Sequence, residues 1–144
     1  MASGEIVEHE VAATLMRQTV QAMAKDIDGR LREHRLTLVQ RRALTLLSGG
    51  QVVTPGDVSL ALEVDAGATS RLLDRLVAKG MCRRHRDDGD RRSVHLELTE
   101  LGRSALEMTQ STVSAVMVEW FSAVEGSDLE VVRRVLAKML GARK

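Results

Sequence analysis

The stretch Lys79–Thr99, KGMCRRHRDDGDRRSVHLELT, decides the fold. Lys79-Gly80 reads as a helix end, because glycine closes helices in the left-handed backbone region. A short strand, a charged turn and a second strand follow. Val94, Leu96 and Leu98 alternate with Ser93, His95 and Glu97, which predicts one buried and one wet face. Between Lys79 and Arg92 stand the basic residues Lys79, Arg83, Arg84, Arg86, Arg91 and Arg92, opposed by Asp87, Asp88 and Asp90. A hairpin this polar gains little by folding alone. Two readings stand: a solvated charged face, or a surface that meets a polyanion.

The residues upstream favour the second. Val53-Thr54-Pro55-Gly56-Asp57-Val58 is a helix start. Thr54 can cap, Pro55 takes the first helical position, Asp57 can return a hydrogen bond, and Val53 with Val58 can form a hydrophobic staple. This helix is short, ending at about Leu62. Asp65 then caps a helix from Ala66 to about Lys79, with Leu72, Leu73, Leu76 and Val77 as its buried stripe. Two helices joined by Glu63-Val64-Asp65 are the helix-turn-helix signature. A basic hairpin directly after that pair reads as a wing, and the polyanion it implies is double-stranded DNA.

Working outward, Thr37 caps an earlier helix with Leu44 and Leu47 facing inward, stopped by Ser48-Gly49-Gly50. From Val11 to Leu31 the residues Leu15, Met16, Val20, Met23, Ile27 and Leu31 recur at helical spacing. Thr99 caps a helix through Leu101, Leu106, Val113, Val116 and Val124, and Glu125-Gly126-Ser127 breaks it. Leu129, Val132, Val135, Leu136, Met139 and Leu140 make a last amphipathic helix. The expected fold is mainly α with a small β-hairpin. It is a single domain over 1–144, with a winged helix-turn-helix lobe over 36–99. N- and C-terminal dimerisation helices over 6–33 and 100–144 flank that lobe. Their apolar faces have no second domain to cover them, so they are expected to bury each other across a two-fold axis in a homodimer.

Composition agrees with packed helices. Of 144 residues, 44 % are hydrophobic and 28 % charged, as in a folded soluble chain. Trp120 and Phe121 are the only aromatics, so the core must be Leu, Val, Ala and Met. The net charge of +1 decides nothing about nucleic acid; the placement of the charges does. The single cysteine, Cys82, excludes an internal disulfide and fits a reducing cytoplasm. The start, Met1-Ala2-Ser3-Gly4-Glu5, lacks a basic region followed by an apolar stretch, and no run is long enough to span a membrane. His9, His34, His85 and His95 show no metal-ligand spacing, so no metal or cofactor is expected. No nucleophile–base pair, phosphate loop or paired carboxylate suggests an enzyme.

On DNA, the N-terminal half of the Asp65-capped helix would enter the major groove, with free backbone N–H groups facing phosphate. Arg71 and Arg75, one turn apart on its exposed side, could contact a base edge or a phosphate. The hairpin would reach the adjacent minor groove, where arginine reads groove width. Asp90 and Arg92, two apart, share one side of an extended strand, where the acid would hold the guanidinium in one rotamer.

Taken together, Arg71-Leu72-Leu73-Asp74-Arg75-Leu76, Lys79-Gly80, Asp90-Arg91-Arg92 and Leu98-Thr99-Glu100-Leu101-Gly102 resemble the MarR family of bacterial transcription regulators. Leu36-Thr37-Leu38-Val39-Gln40 fits as well, and the resemblance spans roughly residues 10 to 140. It implies a homodimer on a pseudo-palindromic operator, usually a repressor, commonly relieved by small anionic aromatic compounds. It makes Arg92 the minor-groove arginine and Asp90 its partner. It turns Gly67, Ala68, Thr69, Ser70 and Arg71 toward the major groove, with Arg75, Arg86 and Arg91 completing the candidate DNA surface.

Two departures stand out. Many relatives carry hydroxyl residues where this chain has Gly67 and Ala68, which shifts base reading to Thr69, Ser70 and Arg71 or to backbone contact. Arg41 stands where an aromatic residue is common, near the family's effector pocket. It reads either as a clamp for a ligand carboxylate or as a surface or interface arginine. His34, Met16, Met23 and Leu47 are the other candidate walls of that pocket. Cys82 lies on the first wing strand, away from the positions where relatives sense oxidants, and reads as a small apolar residue. A winged-helix protein-interaction module, and a regulator without a small-molecule effector, are the rival readings.

Overall fold

Each helix of the central lobe begins where a side chain caps it. α2 (Leu38–Ser48) starts at Thr37, whose hydroxyl accepts the Gln40 N–H at 3.2 Å while the Gln40 side chain accepts the Thr37 N–H at 3.2 Å. α3 (Pro55–Leu62) repeats the device with Thr54 and Asp57, at 3.1 and 3.0 Å, and has Pro55 at its first position. α4 (Ala66–Ala78) is capped by Asp65, which accepts the Ala68 N–H at 2.7 Å. α5 (Glu100–Phe121) is capped by Thr99 through the Gly102 N–H at 3.1 Å. Such caps are worth about 1 kcal/mol each and fix where the chain changes direction.

The computed structural model describes residues 2–51, 54–86, 88–90 and 92–143. The staple residue Val53, the acid Asp87 and the candidate DNA contact Arg91 lie outside the described residues. The element order is α1 (Ala2–Leu31), a 3-10 turn (Arg32–His34), α2, α3, α4, β1 (Cys82–Arg86), β2 (Val94–Leu98), α5 and α6 (Gly126–Gly141). The strands form a two-stranded antiparallel hairpin with Cys82 opposite Leu98, Arg84 opposite Leu96 and Arg86 opposite Val94.

The core gathers Ile27 and Leu31 of α1, Ala43, Leu44 and Leu47 of α2, and Val58 of α3. To these it adds Leu72, Leu73 and Leu76 of α4, Cys82, Leu96 and Leu98 of the hairpin, and Val116 of α5. The expected helix-turn-helix, wing and flanking helices are therefore all present. α4 ends in a glycine motif: Gly80 takes φ +72°, its N–H donates to Val77 and the Met81 N–H donates back to Leu76.

Four details differ from the sequence expectation. α1 begins at Ala2 rather than Val11; its first turns show no periodic stripe because Gly4–Glu10 are all exposed. It ends in a 3-10 turn closed by Arg35 at φ +56°, a left-handed position that no glycine or asparagine marks. α5 stops at Phe121, and the expected breaker Gly126 is instead the first residue of α6, so Val124 belongs to the connection. Leu47 is a core residue, 7 % exposed, and lines neither the cavity at His34 nor the groove at Arg41.

Gly102 sets how closely α5 approaches the hairpin. A Cβ there would lie 2.1 Å from the Met81 carbonyl oxygen and 2.7 Å from Leu98 Cδ1. Gly102→Ala should therefore destabilise the fold by about 1–3 kcal/mol, the usual cost of overpacking a tight contact. A denaturant midpoint equal to that of the unaltered chain contradicts this.

Candidate nucleic-acid interface

α4 presents Gly67, Ser70, Arg71 and Arg75 to solvent, with Leu72, Leu73 and Leu76 on the opposite side in the core. Gly67 leaves a gap that Arg71 occupies: a Cβ at Gly67 would sit 3.4 Å from the Arg71 Nη1 and 3.3 Å from Asp65 Oδ1. The guanidinium thus folds back across the first turn of the helix. Thr69 departs from expectation. It is 1 % exposed and its hydroxyl donates to the Asp65 carbonyl at 2.9 Å, so its side chain packs inward rather than onto the exposed face. The apolar stripe of α4 passes through position 69, which the threonine hydroxyl conceals in the sequence. Ala68 is half-buried, and its N–H is taken by Asp65 rather than left for a phosphate.

The arginines of the hairpin divide into two groups. Arg84 donates to Asp74 of α4 at 2.6 Å and so braces the wing against the recognition helix. Arg83 lies 3.3 Å from its cross-strand partner Glu97. Among the described residues, no ion pair engages Arg71, Arg75, Arg86 or Arg92, and all four are exposed. Asp90 acts differently from expectation. Its carboxylate accepts the backbone N–H of Arg92 at 2.9 Å, and its carbonyl accepts the Ser93 N–H at 3.0 Å. Arg92 stands in a turn, not an extended strand, so Asp90 shapes the backbone and leaves the guanidinium free of that carboxylate. The Arg84–Asp74 brace could have been read from sequence only with the hairpin register in hand.

The candidate ligand residues do not converge on one cavity. Arg41 lines a groove of about 310 Å³ with Thr45, Ser48, Leu106, Glu107 and Gln110. Its Nε–H donates to the buried Thr109 hydroxyl at 2.9 Å and its Nη2 to Gln110 at 2.8 Å. Partial burial with neutral partners lowers the Arg41 pKa from its ordinary value. His34 lines a separate cavity of about 320 Å³, walled by Arg35, Leu36, Met81, Leu101, Ala105 and Met108, and its Nε2 is 3.2 Å from Thr112 Oγ1. Thr109 borders that cavity as well. Met16 and Met23 are half-buried on α1 and line neither space.

Two capped helices in tandem, an exposed face on the second and a hairpin braced to it define a winged helix-turn-helix protein. A MarR family profile matches residues 35–93. Over 96 residues the chain is 30 % identical to the "uncharacterized HTH-type transcriptional regulator YdgJ" of Bacillus subtilis, covering 67 % of this chain and 58 % of that protein. Over 78 residues it is 35 % identical to the multiple antibiotic resistance protein MarR of Escherichia coli, covering 54 % of each. The chain thus spans about half the length of the curated relatives it matches. The crystal structure of the reduced form of MarR from Escherichia coli matches with a TM-score of 0.81 at 26 % identity, covering 89 % of this chain and 95 % of that one. A mutant MarR from the same organism, complexed with operator DNA, matches with a TM-score of 0.81 at 26 % identity over 92 % and 96 % of the two chains. The chain belongs to the MarR family.

Cys82 is buried on the inner face of β1, and burial pushes its thiol above the ordinary range, with Arg84 pulling the other way. A buried, protonated thiol is a poor nucleophile, so a thiol reagent at neutral pH should label the folded protein about tenfold or more slower than the denatured chain. Equal rates contradict the assignment. The sign of the linkage follows: the unfolded chain loses the thiol proton first, so this group's contribution to stability falls as pH rises past the ordinary value of 9.0.

Proposed function

We propose that this chain is a homodimeric, sequence-specific DNA-binding transcription regulator of the repressor type, released by a small anionic aromatic compound. The observation that carries the DNA reading is the group of four exposed arginines, Arg71, Arg75, Arg86 and Arg92, without carboxylate partners among the described residues on two elements braced together. Unpaired guanidinium groups held on a rigid frame suit phosphate and base edges, while Arg83 and Arg84 are spent on internal pairs. α4 would lie in the major groove, and Arg92, carried by the Asp90 turn, in the neighbouring minor groove. Arg91 belongs to the same proposed surface by its place in the sequence.

Dimerisation is supported by what the single chain leaves uncovered. Ile6, Val7, Val11, Leu15 and Val20 of α1 are exposed, as are Leu129, Val132, Val135, Leu136, Met139 and Leu140 of α6. A second copy would cover both faces and hold two recognition helices for half-sites about 34–36 Å apart. A pseudo-palindromic operator follows from that symmetry.

We place the effector in the cavity at His34, where apolar walls suit a ring and Arg35 suits a carboxylate, with Glu33 on the same rim opposing a second negative charge. It lies where the end of α1 meets α5, so filling it alters the seating of the lobe on the long helices. Arg41, on the other flank of Thr109, reports on that seating through its bond to the same hydroxyl.

Arg92→Ala should weaken operator binding by on the order of 1–3 kcal/mol, with the loss concentrated at minor-groove positions. Binding to DNA from the chain's own upstream region, measured at two salt concentrations, must also fall steeply with salt. Unchanged affinity in that variant defeats the wing assignment; no DNA binding by the unaltered protein defeats the whole reading in favour of a protein-interaction module. A titration of aromatic carboxylates against the bound complex tests the effector. His34→Ala should blunt release at least about tenfold if the ring and carboxylate lose their pocket. Release unaffected by His34→Ala, or absent with every acid, removes the effector.

A further inference from the structure

We infer that Lys79 is the positioning residue that fixes the angle between the recognition helix and the long flanking helices, and that it acts through the hinge rather than by touching DNA. Lys79 is the capping residue at the C-terminus of α4. Its ammonium donates to the Arg35 carbonyl and, at 2.9 Å, to the Gln40 side-chain oxygen. Arg35 lies in the segment that joins α1 to α2, and Gln40 in the first turn of α2. Arg35 holds the left-handed turn that ends α1, at φ +56°. Gln40 is 3 % exposed, and the same oxygen accepts the Thr37 N–H that starts α2. One side chain thereby ties the end of α4 to the stop of one helix and the start of another.

The chemistry suits a brace. A lysine ammonium is a compact charge with three donors, and two of them are spent on neutral oxygens, one on the exposed turn at Arg35 and one on the buried Gln40 side chain. Partial burial, with Arg75 nearby, lowers the Lys79 pKa from its ordinary value. The other basic residues on α4, Arg71 and Arg75, are exposed and unbraced. Lys79 therefore differs in kind from its neighbours, although the sequence groups it with them.

In the dimer proposed above, on which this inference rests, the angle of α4 to the long helices sets the spacing of the two recognition helices. Displacing one half-site by a base pair moves it by about 3.4 Å and turns it by about 34°. A rigid brace makes the protein intolerant of that change; a loose one makes it tolerant.

The test uses the full chain and a duplex selected from a random pool by the unaltered protein. Variants of that duplex carry one base pair more or less between the half-sites. Lys79→Met, which keeps the alkyl chain, should lower affinity for the selected duplex about tenfold and shrink the discrimination between spacings to about twofold. The slope of log affinity against log salt should not change, whereas loss of a phosphate contact reduces it by about 1. Gln40→Met removes one acceptor and leaves the charge of Lys79 in place, so it should relax spacing in the same way. Lys79→Arg, whose guanidinium can donate to both oxygens, should retain discrimination. Circular dichroism confirms that each variant is folded. Spacing discrimination retained in both Lys79→Met and Gln40→Met overturns the inference, as does a reduced salt slope in Lys79→Met. Unaltered protein that binds a single half-site as tightly as the full duplex overturns the two-half-site reading and the inference with it.

Discussion

The hydroxyl of Thr99 holds together the three parts on which everything else depends. It donates to the Gly80 carbonyl at 2.6 Å, where the recognition helix ends, and accepts the Gly102 N–H at 3.1 Å, where α5 begins. The Thr99 N–H donates to Met81 as well, closing the hairpin against the same turn. Gly102 is needed because any side chain at that position would strike the Met81 carbonyl. A single residue therefore joins the end of α4, the base of the hairpin and the start of α5. The Leu98-Thr99-x-x-Gly102 spacing is the sequence trace of that junction, and its parts are not interchangeable: the threonine supplies the bonds and the glycine supplies the room.

What could be read from the sequence was whatever short-range chemistry determines. Thr37, Thr54, Asp65 and Thr99 each cap a helix because a small oxygen-bearing side chain reaches an N–H three residues on, which needs no tertiary context. The alternation of Val94, Leu96 and Leu98 is equally local. What could not be read depends on which element lies against which. Thr69 looks polar in the sequence, yet the α3–α4 packing buries it and its hydroxyl finds a carbonyl in its own helix. Leu47 faces inward on α2, as its helical spacing implies, but which cavity it would line depends on packing the spacing does not carry. The turns at Arg35 and Glu63 take left-handed backbone without a glycine to mark them, so neither is visible in the sequence. Asp90 and Arg92 are close in sequence, and the turn between the strands decides that the contact is through backbone rather than guanidinium.

Charge teaches the same lesson on a larger scale. A net charge of +1 conceals a strongly uneven distribution. Along the flanking helices α1, α5 and α6 taken together, acids outnumber bases, and some pair off, as where Arg30 of α1 meets Glu119 of α5. Near the wing, Asp74 and Glu97 neutralise the two arginines that stiffen the frame. The positive field that remains belongs to side chains whose positions the frame determines. A protein of this kind needs no excess of cations, only cations that its own carboxylates have not claimed.

α6 is a helix of 16 residues with none buried in its own chain. A helix of that length is marginal in water by itself, so its order must come from what covers it. In the proposed dimer the cover is a second copy, and folding then carries a concentration in its equilibrium constant. Leu72, Leu73 and Leu76 of α4 are already satisfied within one chain, so dilution loosens α6 before it reaches the recognition helix. In such a dimer the number of copies in the cell would be a structural variable, one that sets how much of the molecule is ordered as well as how much of it is present.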